Sequence, residues 1–292
     1  MHNCKHCNFL FEGQIPFTMI CTDPLTFNRV LFETTGNSEH LKLIGYEQKD
    51  SLSFTNEEEF YKIKQLPFII PEQREGLDEL EYNKVNQHFI EYGQLKGVLH
   101  NHTNYSDGLN TLKEMAEYAK SQNYQYLGVC DHSKSAGYAR GLDEDRVFQQ
   151  MHEIDEFNAK MSPFKIFKGI ESDILSDGSL DYSEDILKLF DFVVASVHSN
   201  LTMSEEKANA RLLRAIENPY TTILGHPTGR LLLMRSGYQI NHEMIIDACA
   251  ANSVVIELNA HPYRLDIDWR WIHYAQQKGV MISINPDAHE KM

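Results

Sequence analysis

His100 and His102 stand two residues apart at the close of an apolar run, a spacing that turns both imidazoles of a strand to the same side. Asp107 follows in the loop Thr103-Asn104-Tyr105-Ser106-Asp107-Gly108, and Asp131-His132-Ser133, Glu171, His198, His226 and Asp287-Ala288-His289 close later apolar runs. Imidazole and carboxylate together form the donor set of Zn, Mn or Fe sites, without singling out one metal. A lone histidine such as His40, His88, His152, His242 or His273 is read as a surface or satisfied core residue. Repetition at the ends of successive runs is harder to explain as packing. Buried charges without partners cost several kcal/mol each, so such a cluster calls for cations.

Two or three divalent ions held close together activate water, hold a phosphoryl oxygen and neutralise a leaving oxygen. No Walker-type glycine loop and no G-x-S-x-G nucleophile motif is present, which leaves hydrolysis by metal-activated water. Glu171, Asp287, His102 and Arg230 are the residues expected to carry catalysis. Arg230, in His226-Pro227-Thr228-Gly229-Arg230, and Arg264, in Asn259-Ala260-His261-Pro262-Tyr263-Arg264, could each fork onto a phosphate. The competing reading is a rim salt bridge with Asp266 or Asp268. His261, Lys134 and Arg140 are further candidate substrate contacts.

The elements that must position these residues read as an alternation. Strands are expected at 97–100, 126–130, 165–170, 192–197, 222–225, 254–258 and 280–284. Helices are expected near 111–122, 143–160, 183–189, 204–217, 241–252 and 268–278, with Asp143, Ser183, Ser204 and Asn241 as N-caps. Such alternation predicts parallel pairing with barrel-like closure, and chemistry at the C-terminal strand ends. Every strand but the sixth then delivers a candidate ligand. Residues 1–76 read as a small α+β domain and 77–95 as a linker. The Leu66-Pro67-Phe68-Ile69-Ile70-Pro71 stretch excludes a helix interior there. Residues 96–292 form the barrel domain.

Composition narrows the choices. The net charge is −15, and 19 basic against 27 acidic residues leave residues 96–292 at −8, which counts against a strong free-standing DNA binder. Bound cations would cancel part of that charge. The five cysteines, at 4, 7, 21, 130 and 249, read as reduced thiols. Cys4-x-x-Cys7 lacks the second pair that a closed zinc shell needs. With no apolar run of membrane-spanning length and no signal peptide, the expected location is the cytoplasm.

His100-Asn101-His102, Asp107-Gly108, Asp131-His132-Ser133, Glu171, Val197-His198-Ser199, Gly225 to Arg230, Glu257 to Pro262 and Asp287-Ala288-His289 resemble the PHP (polymerase and histidinol phosphatase) domain, in particular the one attached to bacterial family X DNA polymerases. The resemblance covers nearly all of 96–292. It implies a distorted (β/α)7 TIM-like barrel and three divalent ions, Mn or Zn, with Fe possible in principle. One ion would take His100, His102, Glu171 and Asp287. A second would share Glu171 and add His198 and His226, and a third would take Asp107, His132 and His289. It further implies a Mn-dependent nuclease acting on DNA 3′ ends.

Thr35-Gly36-Asn37-Ser38-Glu39-His40 and Leu66 to Gly76 resemble that family's palm turn and thumb-to-PHP connector, so residues 1–76 are expected to be a truncated palm and thumb remnant. The palm strand reads Ile15-Pro16-Phe17-Thr18-Met19-Ile20, with Phe17 near the place of a catalytic aspartate, and the fingers and paired aspartates are missing. Polymerase activity is therefore not expected. The barrel domain is also expected to be short at its C-terminal end, where the family continues with a helical segment. A 3′-5′ DNA exonuclease with an end-processing role in repair is the first functional expectation. The alternative is a phosphomonoesterase of the histidinol-phosphate type, acting on a small phosphorylated metabolite. A non-catalytic docking module is a third, which the complete ligand set disfavours.

Overall fold

A computed structural model describes residues 5–11, 15–47, 54–77, 79–81 and 90–291. The chain divides into two compact units, Met1–Ile90 and Glu91–Met292. Much of the linker expected at 77–95, together with Cys4 and His88, lies outside the described residues.

In the first unit β1 (Lys5–Phe11) pairs antiparallel with β2 (Ile15–Cys21), and the facing Phe9 and Phe17 rings lie 4.8 Å apart. Helices α1 (Phe27–Thr35), α2 (Ser38–Leu43) and α3 (Glu57–Ile63) follow. Asn37 and Asn56 start the last two by accepting the backbone N–H of His40 and Glu59. Phe32, Phe54, Phe60, Tyr61 and Ile69 form the core. Arg74 is buried against the Phe32, Tyr61 and Phe68 rings and pairs with Glu57 at 2.7 Å.

His40 is a satisfied core residue. Its Nδ1 lies 2.8 Å from Glu79 and its Nε2 lies 2.9 Å from the Tyr61 hydroxyl. Burial depresses its pKa, although Glu79 opposes the shift. Burial alone would raise Glu79, but the His40 contact and the backbone N–H groups of Gly76 and Leu77 hold it below its usual value. Both folded groups thus refuse protons that the unfolded chain accepts. Stability is fully present above the unfolded histidine value, about 6.5, and falls as the pH drops below it, with Glu79 adding loss in the same direction at lower pH. Hydrogen exchange of residues 27–47 and 54–63 is expected to quicken, beyond its intrinsic pH dependence, between pH 7 and 5. Constant protection would contradict this.

The second unit is a seven-stranded, all-parallel sheet in sequential order. Its strands are β3 (Gly97–Val98), β4 (Tyr126–Val129), β5 (Lys165–Asp173), β6 (Phe192–Ser196), β7 (Ile223–Leu224), β8 (Val255–Asn259) and β9 (Ile282–Asn285). Beyond β3 and β9 the chain pairs again, Asn101 opposite Ala288, and the His102 N–H donates to the Ala288 carbonyl at 2.8 Å. That contact brings the first and last strands together in a nearly closed, TIM-like barrel.

Helices α4 (Leu112–Ser121), α5 (Glu144–Met161), α6 (Glu184–Leu187), α7 (Glu205–Ile216), α8 (His242–Asn252) and α9 (Ile272–Gln277) link the strands. Asp143, Ser204 and Asn241 cap their helices through the side chain, whereas Ser183 precedes α6 without such a bond. The helix expected at 268–278 is a 3-10 turn over 269–271 running into α9.

Side chains alternate along each strand. Val193 and Ala195 of β6 pack with the α7 and α8 residues Leu212, Ile245 and Ile246, while Phe192 and Val194 join Cys130 and Ile223 in a separate inner cluster. The Phe192 ring occupies the room left by Gly128 and Gly169, where an added Cβ would fall 2.7 and 2.2 Å from it. The barrel is therefore plugged by apolar groups below, and its polar residues gather above.

Candidate metal centre

The inward phase of β5 runs Phe167, Gly169, Glu171, Asp173, which places Glu171 over the apolar plug. Five imidazoles surround its carboxylate: His226 Nε2 at 2.9 Å, His132 Nδ1 at 3.0, His198 Nε2 at 3.1, His100 Nε2 at 3.3 and His102 Nε2 at 3.6 Å. Asp287 lies 3.1 Å from His102 and 3.6 Å from His100. Asp107 lies 3.4 Å from His289 and 3.7 Å from His132. All nine expected ligands therefore converge, from residues 100 to 289 of the chain.

Donors sharing one ion at about 2.1 Å sit roughly 3–3.5 Å from each other, and most of these separations fall in or near that range. Six buried atoms of the cluster have no hydrogen-bond partner among the described residues: His100 Nε2, His102 Nδ1, His132 Nδ1, His198 Nε2, His226 Nδ1 and Glu171 Oε2. Buried polar atoms left unpaired in this way are costly unless an ion takes them up. Three groups have ligand atoms within 4.8 Å of one another: His102, Asp107, His132 and His289; His100, His102 and Asp287; and His132, Glu171 and His198. The residues fit divalent cations.

Charge is strongly redistributed here. Burial would depress His100, but Glu257, Glu171 and Asp287 outweigh it and hold the imidazole well above its ordinary value. His198 is likewise opposed by burial yet pushed up to about 10 by Glu171 and Asp173. His102 goes the other way, to about 4, through burial and the charge of His132. Glu171 is held well below the carboxylate range by His198, His100 and His132 despite its burial.

Supporting residues escaped the sequence reading. The sixth barrel strand does deliver a functional group: Glu257 of β8, fully buried, accepts from His100 Nδ1 at 2.7 Å and from the His226 backbone N–H at 2.9 Å. A single glutamate inside Val254-Val255-Ile256-Glu257-Leu258 was the available signal. Asp173, two residues beyond Glu171 on the same face, bonds His198 Nδ1. These carboxylate–imidazole contacts fix ring orientation and ligand basicity. Asp131 is an anchor: its oxygens take Thr103 N–H and hydroxyl, Ser106 N–H and hydroxyl, and the Gln150 amide, fixing the loop that carries Asp107.

Glu257→Gln is expected to weaken metal affinity about 10- to 100-fold while sparing the fold. Metal titration of the purified variant checks it, and wild-type affinity would remove Glu257 from the support of His100.

The candidate substrate contacts separate. Arg264 lines the cavity over the cluster, with Nε on Asp287 at 3.1 Å. Arg230 does not line it. Its guanidinium is engaged by the Arg264 and Leu265 carbonyls and by Asp268 at 3.1 Å, so it braces the loop that presents Arg264. The rim salt bridge is thus the arrangement found, and the expected phosphate grip by Arg230 is not. Lys134 pairs with Glu144 at 2.8 Å, and Arg140 is exposed with its carbonyl held by Arg146. His261 accepts the Tyr263 N–H and lies outside the cavity lining. Tyr138, which the sequence reading passed over, does line the cavity.

Residues 99–261 match the PHP domain family, and the chain belongs to it. The site is that of a metal-dependent phosphoesterase. The chain is 38% identical, over 97% of its length, to the DNA polymerase/3′-5′ exonuclease PolX of Bacillus subtilis (strain 168), and spans 52% of that protein. A probable phosphatase of Clostridium novyi (strain NT) is 29% identical over 65% of this chain and 78% of its own. The fold is also that of histidinol phosphate phosphatase from Lactococcus lactis subsp. lactis Il1403, solved with Zn, L-histidinol and phosphate (TM-score 0.51, 17% identity, 68% of this chain and 87% of that one). The putative histidinol phosphatase of Listeria monocytogenes gives a TM-score of 0.54 at 13% identity, covering 67% of this chain and 96% of its own. Among the described residues no helix is long and apolar enough to cross a membrane.

Proposed function

We propose that the second unit is a 3′-5′ exonuclease that processes DNA 3′ ends, and that the first unit corresponds to part of a family X polymerase palm and thumb. One observation carries the reading. Similarity to the exonuclease-bearing polymerase runs through both units, over 97% of the chain, whereas the probable phosphatases match about two thirds of it. A small-molecule phosphatase has no use for the additional unit. Phe17, near the place where the resemblance expects a catalytic aspartate, argues against polymerisation by this unit.

Three divalent ions, Mn or Zn, fit the donor set; when bound they supply an activated water and offset phosphate charge. Glu171, central to five imidazoles, is the shared ligand in this reading. His100, His102 and Asp287 would hold one ion, His198 and His226 would join Glu171 at a second, and Asp107, His132 and His289 would take the third. Arg264 orients the phosphate: Asp287 fixes its Nε, and its terminal nitrogens make no protein hydrogen bond among the described residues. Glu257 and Asp173 hold the rings of His100 and His198 against rotation.

The alternative, a phosphomonoesterase of small metabolites, draws on the net charge of −15. Incubation with Mn or Zn and a 5′-labelled oligonucleotide separates the two. Stepwise shortening from the 3′ end is expected. No shortening, with turnover of histidinol phosphate or a similar monoester, would overturn the exonuclease reading.

A further inference from the structure

The cavity framed by seven of the nine candidate ligands, with Tyr138 and Arg264, has a volume of about 160 Å³. Sites that enclose a whole small molecule run from about 300 Å³ upward. Ions on these ligands and a phosphoryl group would together take up this space, so the organic remainder of the ester must lie outside, on the rim. The composition of the rim therefore bears on specificity.

That rim is apolar. Leu109 on the loop after β3, Tyr138 after β4, Leu233 and Met234 after β7, and Tyr263 and Leu265 after β8 are all exposed, from 46% for Leu265 to 98% for Leu233. All six stand on loops at the C-terminal end of the barrel. Three ties bind them to the site. Tyr138 lines the cavity, with its ring 6.0 Å from that of His132. Leu109 N–H donates to the His289 carbonyl at 2.7 Å. Tyr263 and Leu265 flank the cavity-lining Arg264, and the Tyr263 carbonyl accepts the Leu232 N–H.

Tyr138 is also rigidly mounted. Its loop closes on a bridge between Ser133 and Leu142, Ser135 is tied to Asp173 and Asp181, and Arg146 holds the Arg140 and Gly141 carbonyls. Its hydroxyl has no hydrogen-bond partner among the described residues, and 72% of the residue faces solvent. A fixed, exposed aromatic that meets His132 edge to face and lines the cavity still presents most of its surface to solvent for stacking.

We infer that Tyr138 and Tyr263 form a nucleobase platform, on which the bases next to the scissile phosphate stack while that phosphate enters the cavity beside Arg264. The inference rests on the exonuclease reading and names how that substrate is held. Base–aromatic stacking tolerates any sequence, because every base presents a π-face. It demands an unpaired end, since a base within a duplex is already stacked.

The test compares ligands that share a phosphate and differ in the base. Binding of thymidine 5′-monophosphate and of deoxyribose 5-phosphate to the metal-loaded protein is measured by calorimetry, in wild type, Tyr138→Ala, Tyr263→Ala, and both phenylalanine variants. The mononucleotide is expected to bind about tenfold tighter than the sugar phosphate. Each alanine variant should lose most of that advantage, and each phenylalanine variant should keep it. Metal content by elemental analysis should be unchanged in all five proteins.

Equal binding of the two ligands by wild type would overturn the platform, as would alanine variants that keep the full preference. Because binding is read without turnover, a protein that fails to degrade oligonucleotides loses the exonuclease reading separately from this one. Sugar-phosphate binding that falls together with mononucleotide binding in the alanine variants would make the tyrosines phosphate contacts and refute stacking.

Discussion

Glu171→Ala is expected to lose about a thousandfold or more in phosphoesterase activity and to leave the protein with fewer bound ions. The expectation follows from position. One buried carboxylate stands within 3.6 Å of five imidazole nitrogens contributed by β3, β4, β6 and β7 and the loops that follow them. Among the described residues no other joins so many of the candidate ligands. Without it those imidazoles lose the carboxylate they share, and only Asp107 and Asp287 remain as charged candidate ligands, each beside other histidines of the cluster. Removing one partner from a buried charged set also costs about 3–5 kcal/mol, so the alanine variant needs a companion. Glu171→Gln keeps the shape and removes the charge. Both variants should show the activity and metal deficits, and circular dichroism of the glutamine variant should remain that of the wild type. An unchanged ion count in either would refute the central place given to Glu171.

Removal of the metals should have the second largest effect. Chelation is expected to abolish activity and to lower the melting temperature of the barrel unit, with both restored by Mn or Zn. Ligands that bind only the folded state stabilise it by about 2.7 kcal/mol at a hundred times their dissociation constant. For a unit of this size each kcal/mol moves the midpoint by roughly 2–4 °C, so an ion bound that tightly should be worth about 5–10 °C. The cluster's charge distribution adds a proton signature. His198, pushed up to about 10 against the opposing effect of burial by Glu171 and Asp173, and His289, raised to about 8 by Asp107 although burial opposes it, hold protons that a cation must displace. Uptake of metal by the stripped protein should release protons in weakly buffered solution. A midpoint indifferent to chelator would mean that the polar cluster supports itself without cations.

Much of this centre was legible in the sequence because its ligands sit where strand periodicity puts them. His100 and His102 share a face by spacing alone, and the apolar runs before Glu171, His198 and His226 announce buried strands. What stayed hidden depends on registers that no local pattern displays. Glu257 lies within an apolar run, and only the position of β8 between β7 and β9 brings its carboxylate under His100. Strand β5 continues through Glu171 to Asp173, three residues further than the apolar run, because Ser172 and Asp173 pair with Ala195 and Ser196 of β6. Arg230 misled for a related reason. A cation beside a ligand motif looks like a phosphate contact, and its carbonyl partners at 264 and 265 become visible only once the loop after β8 folds over it. In the first unit the α+β class and the prolines that bar a helix interior at 66–71 were legible, while its helices were not placed. The pairing of β1 with β2 was not legible either, since both strands are largely exposed and lack a buried face to impose alternation.

The contact between Asn101 and Ala288 joins chain segments nearly two hundred residues apart, and candidate ligands flank it on both sides, His100 and His102 on one strand and Asp287 and His289 on the other. An ion bound there would act as a clasp across the barrel's seam. The last stretch of the unit to be made would then decide at once whether the cylinder is shut and whether it can hold its metal, so a loosened seam and an emptied centre would be the same event.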